Sequence, residues 1–208
     1  LGSEIDGEAD GDRSGQTVSI SGDGTTVAIG ARQNAGNGYR AGHTRIFNWD
    51  GSNWNQLGDD IDGEKAYDDS GHSVSLSGDG TRVAIGTPGH DEDLSDVGST
   101  RIYEWDGTAW GLMGGNISGD AKWDGLGHSV SLSDDGSTVI TGGPIGEQAR
   151  VYRFGFVPSG LHLGSVKDEE FDGVPSVAAD SEGSDDDGVT FGELTAGLST
   201  SIDVSVTG

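Results

Sequence analysis

The chain of 208 residues has no cysteine, one methionine, four prolines, and only 11 lysines and arginines against 36 aspartates and glutamates. Without cysteine there is neither a disulfide framework nor a thiolate metal site. A formal charge of −25 repels nucleic-acid phosphates and anionic membranes, which excludes nucleic-acid binding. No apolar run reaches membrane-spanning length, so direct membrane insertion is not expected. No signal peptide stands at residue 1, as expected if the natural amino terminus lies upstream. Helical periodicity is also missing. The 39 glycines make the chain rich in turns, yet its apolar residues fall in regular pairs and triples, unlike those of a disordered acidic tail.

What is present is a repeat. Leu1, Leu57 and Met113 open three copies of one phrase, 56 residues apart. Ser14-Gly15-Gln16-Thr17-Val18-Ser19-Ile20-Ser21 returns as Ser70-Gly71-His72-Ser73-Val74-Ser75-Leu76-Ser77 and as Leu126-Gly127-His128-Ser129-Val130-Ser131-Leu132-Ser133. A residue that recurs in every copy serves first to build the copy. Val18 and Ile20 alternate with serines, Gly22-Asp23-Gly24 breaks the run, and Val27 and Ile29 alternate again. Period-two alternation around an Asp-Gly turn predicts a hairpin. A third strand is read at Thr44 to Trp49, Thr100 to Trp105 and, after a shorter loop, Ala149 to Phe154. A fourth follows a turn flanked by tryptophans, Trp49-Asp50-Gly51-Ser52-Asn53-Trp54 and Trp105-Asp106-Gly107-Thr108-Ala109-Trp110, whose rings can meet across the hairpin.

Four strands per 56-residue unit predict an all-β fold, a partial β-propeller of about three four-stranded blades. The runs Gly-His-Ser-Val-Ser-Leu-Ser, Asp-Gly-x-x-Val-Ala-Ile-Gly and Arg-Ile-Tyr-x-Trp-Asp-Gly resemble the FG-GAP-like, integrin-type propeller repeats of bacterial surface proteins, over about residues 1–154. The integrin-type blade carries a longer loop whose aspartates hold calcium, whereas here that turn is only Gly22-Asp23-Gly24. One carboxylate cannot supply the roughly six to eight oxygens that calcium prefers, so Asp23, Asp79 and Asp135 are read as turn formers. Leu1 to Glu8 matches Leu57 to Glu64, which follows a fourth strand, so the chain is expected to begin within a blade. Propellers close with about four to eight blades. Either a longer chain supplies the rest, or several chains share the closure.

After Phe154 the texture changes. Leu163-Gly164, the acidic Asp168 to Gly173, the run from Ala179 to Asp187 ending in Gly188-Val189-Thr190-Phe191, and the strand-like Ser201 to Val206 resemble the GEVED domain of secreted bacterial proteins. That resemblance implies a β-sandwich-like domain, partial here, over residues 166–208. Residues 155–165 are read either as a junction or as the outer strand of blade three, since Gly155, Pro158 and Gly160 suit both.

The candidate metal ligands are two acidic groups of this last domain, Asp168, Glu170 and Asp172, and Asp180, Glu182, Asp185, Asp186 and Asp187. Close carboxylates repel one another unless a hard cation such as calcium converges them. The alternative is a solvated acidic loop, and no EF-hand pattern is matched. His72 and His128 occupy the position of Gln16, which favours a structural role, and His43, His90 and His162 stand alone. Asp59 and Asp60 are a chance-level acidic pair, and Asn116-Ile117-Ser118 is a lone glycosylation sequon. No nucleophile elbow, zinc-protease motif or phosphate loop occurs, so no enzyme is expected.

These readings predict a non-catalytic structural or adhesive segment of a secreted or cell-surface bacterial protein. Its expected partners are other domains of the same longer chain, a glycan or surface protein, and further copies in a homo-oligomer or extracellular filament formed by strand addition. The extracellular location follows from the resemblance. The alternative is an accessory carbohydrate- or protein-binding module of a secreted hydrolase, with Trp49, Trp54, Trp105 and Trp110 stacking on sugar rings.

Overall fold

In the computed structural model, residues 2–91 and 96–154 are described. They are all-β, with no helix among them, and form three successive antiparallel sheets, the blades of a partial propeller. Blade 1 comprises β1 (Thr17–Ile20), β2 (Thr26–Ala31), β3 (His43–Trp49), β4 (Trp54–Gln56) and β5 (Ile61–Asp62). Blade 2 repeats it as β6 (Ser73–Leu76), β7 (Arg82–Thr87), β8 (Ser99–Trp105), β9 (Trp110–Leu112) and β10 (Ile117–Ser118). Blade 3 contributes β11 (Ser129–Leu132), β12 (Thr138–Gly143) and β13 (Gln148–Arg153). The segment 155–165 and the GEVED-like residues 166–208 lie outside the described residues.

The outer strand is split. Both β4 and β5 pair with β3, at Phe47 to Trp49 and at His43 and Thr44 respectively. Residues 57–62 open a sequence copy yet complete the preceding blade. The sequence period and the blade boundary are therefore offset, and the segment from Gly63 onward crosses to the next blade.

The core lies between blades. One interface gathers Ala28, Ile46 and Ile61 from blade 1 with Val74, Leu76, Val83 and Ile85 from blade 2. The next gathers Ala84, Ile102 and Ile117 with Leu126, Leu132, Val139 and Tyr152. Alternation along each strand thus gives every sheet two faces, each packed against a different neighbour. On blade 1, Val18 and Ile20 are exposed where their counterparts Val74 and Leu76 are buried, and on blade 3 Ile140 and Val151 are exposed.

The recurrent serines stitch the inner strands. Ser19 Oγ accepts a hydrogen bond from the Leu76 N–H at 2.9 Å, and Ser75 Oγ accepts one from the Leu132 N–H at 2.9 Å. At the far ends of these strands, the Gly22 N–H donates to the Gly78 carbonyl at 2.7 Å and the Gly78 N–H to the Asp134 carbonyl at 2.7 Å. Inner-strand backbone groups that a lone hairpin would leave to water are satisfied by the next blade.

Candidate functional site

The eight acidic residues Asp168, Glu170, Asp172, Asp180, Glu182, Asp185, Asp186 and Asp187 all lie outside the described residues. The turn aspartates do lie within them. Asp23 accepts from the Ser21 hydroxyl at 2.7 Å and the Thr25 N–H at 2.9 Å, and Asp79 and Asp135 repeat the arrangement. These donors hold the Asp135 carboxyl down at about 2, the Ser133 hydroxyl contributing most. Their lone pairs are directed into the turn.

The four hairpin tryptophans form two pairs of tilted rings. Ring centroids lie 5.3 Å apart for Trp49 and Trp54 and 5.5 Å for Trp105 and Trp110. All four are half-buried, and Trp110 Nε1 donates to the Leu57 carbonyl at 2.8 Å. Their faces pack on each other and on the crossing backbone at Gly2 and Gly58. The rings meet across each hairpin, as read from the sequence, and being half-buried they do not form an exposed row.

Exposed aromatic surface occurs elsewhere, at the amino-terminal ends of the inner strands. Gln16, His72 and His128 precede β1, β6 and β11, and the rings of His72 and His128 lie 4.5 Å apart. Between blades 2 and 3 they open on a cavity of about 280 Å³, lined also by Asp69, Asp96, Trp123 and Ile145. Trp123 is 55% exposed and its repeat counterpart Tyr67 61% exposed, with Tyr39 meeting Tyr67 edge-on at 5.4 Å.

The backbone here is unusual. Tyr67 and Trp123 have φ of 69° and 70°, whereas the first copy places Gly11 there at 94°. Asp69 has φ of 53°, and its counterparts are Arg13 at 58° and Gly125 at 60°. Glycine satisfies this conformation without the steric cost of a Cβ. Tyr67 and Trp123 thus hold bulky side chains in a conformation that the first copy gives to glycine, and such strain clusters at ligand sites. Asp69 accepts two hydrogen bonds from Arg40, at 3.0 and 2.5 Å. That bond raises the Arg40 pKa, and Arg32 Nη1 lies 3.6 Å from the same carboxylate.

The imidazole pair sets a pH dependence. Burial, then the charges of His128 and Arg32, push the His72 pKa down to about 4 from 6.5, and its Nδ1 has no hydrogen-bond partner among the described residues. Because the folded value is depressed, the unfolded chain takes up this proton first. Stability is therefore lost as pH falls from 6.5 towards 4 and is intact above that window. For a half-buried ring, after allowance for solvent screening, the loss is on the order of 2 kcal/mol. His72→Gln, which adopts the residue already tolerated at Gln16, is expected to flatten this slope. Urea midpoints at pH 7 and 4.5 provide the check, and equal slopes in both proteins would refute it.

A second cluster joins three segments. His43 at the start of β3, Asp60 in the break of the outer strand and Glu8 in the crossing segment bring their ligand atoms within 4.8 Å of one another. The sequence set His43, Asp60, His72 and His128 aside one by one and gave no sign that His43 meets Asp60 and Glu8 or that the two imidazoles stand beside Trp123. In both cases the signal is a departure from the repeat, at positions where another copy carries glycine, serine or asparagine.

No family model matches the chain, and no curated protein matches it. Two of the solved structures it resembles are the candidate 6-phosphogluconolactonase of Bacteroides uniformis ATCC 8492, at 12% identity and TM-score 0.44, and the hydrazine synthase of Kuenenia stuttgartiensis, at 14% identity and TM-score 0.44. Each alignment covers 65% of this chain, and the chain spans 35% of the first structure and 44% of the second.

Proposed function

We propose that this chain is a non-catalytic adhesive segment of a secreted or cell-surface bacterial protein, whose blades hold a neutral glycan at the amino-terminal ends of the inner strands. The observation that carries this reading is the pair Tyr67 and Trp123. Both are exposed and both are kept at positive φ where glycine would suffice. Exposed rings stack on the apolar faces of sugars, while the carboxylates and imidazoles beside Trp123 offer partners to sugar hydroxyls. The charge of −25 disfavours anionic glycans, which points to neutral ones.

Titration calorimetry with neutral oligosaccharides selected on a glycan array tests it. Trp123→Ala is expected to weaken binding by at least about tenfold, roughly 1.4 kcal/mol, with an unchanged melting temperature because the ring is exposed. An array without binders, or affinity indifferent to Trp123→Ala, would refute the proposal.

The bare apolar faces of blades 1 and 3 support a further part of it. Val18 and Ile20 on one, and Ile140 and Val151 on the other, match the positions that mate blade to blade inside the molecule. A further blade, from the same longer chain or from a neighbouring chain in a filament, is the natural cover. Calcium at the acidic residues between Asp168 and Asp187 belongs to the same proposal and rests on their oxygen chemistry.

A further inference from the structure

One position of the blade is built differently in each copy. In blade 2, Arg101 closes a polar network: Nη2 lies 2.8 Å from Glu64 Oε2, Nε donates to Asn116 Oδ1 at 3.0 Å, and Asn116 Nδ2 lies 3.4 Å from His90 Nε2. Blade 3 closes its own version through Arg150, which bonds Asp120 and Gln148. In blade 1 the network is open. Arg45 turns to the Asp6 carbonyl at 2.6 Å, stands 3.9 Å from Glu8 Oε1, and leaves its buried Nε without a partner among the described residues.

Three residues account for the opening, and all three are metal-ligand types. Blade 1 has His43, Asp60 and Asp62 where blade 2 has Ser99, Asn116 and Ser118. The His43 ring is 1% exposed and has no hydrogen bond among the described residues. Its Nδ1 faces Asp60 Oδ2 at 3.4 Å and Glu8 Oε2 at 3.9 Å. Neighbouring ligands of a tetrahedral zinc ion sit about 3.4 Å apart, given metal–ligand bonds of about 2.0–2.2 Å. Three carboxylates against the single guanidinium of Arg45 leave two negative charges, which a dication cancels.

We propose that His43 Nδ1, Asp60 and Glu8 bind one divalent transition-metal ion, zinc fitting best, with Asp62 beside it. The nitrogen donor and the small number of protein ligands select a borderline ion over calcium or magnesium. Asp60 and Asp62 also line a cavity of about 310 Å³, which gives the ion a route in. Because the ligands come from β3, the outer-strand break and the crossing segment, the ion fastens that segment to blade 1. It shares no residue with the cavity beside Trp123.

Calorimetric titration of the metal-free protein with zinc tests this, alongside cobalt absorption spectra and melting curves. One ion per chain and a rise in melting temperature are expected. His43→Ser and Asp60→Asn, which import the residues of blade 2, should each weaken binding at least tenfold while the metal-free melting temperature stays within a few degrees of wild type. His72→Gln should leave zinc binding intact. Zinc binding that survives both His43→Ser and Asp60→Asn, or is lost in His72→Gln, would overturn the assignment, as would calcium competing for the site at equal concentration.

Discussion

Gly86→Ala should destabilise the protein by about 3 kcal/mol, at the upper end of overpacking changes. Gly86 lies in β7, buried, and a Cβ there would stand 1.9 Å from the Gly127 carbonyl oxygen and 2.2 Å from Ser73 Oγ. A side chain could rotate aside, but the Gly127 carbonyl belongs to the turn that seats blade 3 on blade 2. It already accepts the Ser73 hydroxyl at 2.8 Å. Relief therefore requires the blades to separate. For a protein of this size the melting temperature is expected to fall by roughly 6–12 °C. Gly30, at the same point of blade 1, meets the Gly71 carbonyl at 2.2 Å, so Gly30→Ala should behave alike. A melting temperature unchanged by Gly86→Ala would mean that the blades are not packed as described.

Ile102→Ala should cost about 4 kcal/mol, as for other fully buried aliphatic truncations. Ile102 is 0% exposed, between Ala84, Ile117, Leu126, Leu132 and Val139. The truncation leaves a cavity in the seam that joins blades 2 and 3. Its counterpart Val151 is 50% exposed, and Val151→Ala in the isolated chain should cost no more than about 0.5 kcal/mol. Denaturant titration of the two variants measures the contrast. If they cost the same, the core does not lie between the blades. In a repeat array a weakened seam also uncouples its neighbours, so Ile102→Ala is expected to broaden the transition or split it in two.

The hairpins, the Asp-Gly turns and the paired tryptophans were legible in the sequence because each is local, set by alternation and turn chemistry within about a dozen residues. The blade boundary was not. β5 looks like the opening of the next copy, and only its pairing with His43 and Thr44 assigns it to the previous blade. The serines gave a false impression of mere alternation. Ser19 and Ser75 alternate with the apolar residues, but their hydroxyls meet backbone groups of the next blade, 57 residues further on, a relation no local pattern carries. The candidate sites were hidden for a related reason. Reading by recurrence credits Asp23, Asp79 and Asp135, which bind only their own turns, and passes over His43, Asp60 and Trp123, which break the pattern. Positive φ at Tyr67 and Trp123 has no signature in residue type, since bulky aromatic side chains normally avoid it.

Blade 2 is covered on both sides by copies of itself, and the surfaces it presents fore and aft are the two halves of one joint. Ser131 stands where Ser19 and Ser75 stand, ready for another strand's amides. A 56-residue cassette of this kind can be inserted or excised whole without redesigning either neighbour, so the fold tolerates a change in the number of its repeats.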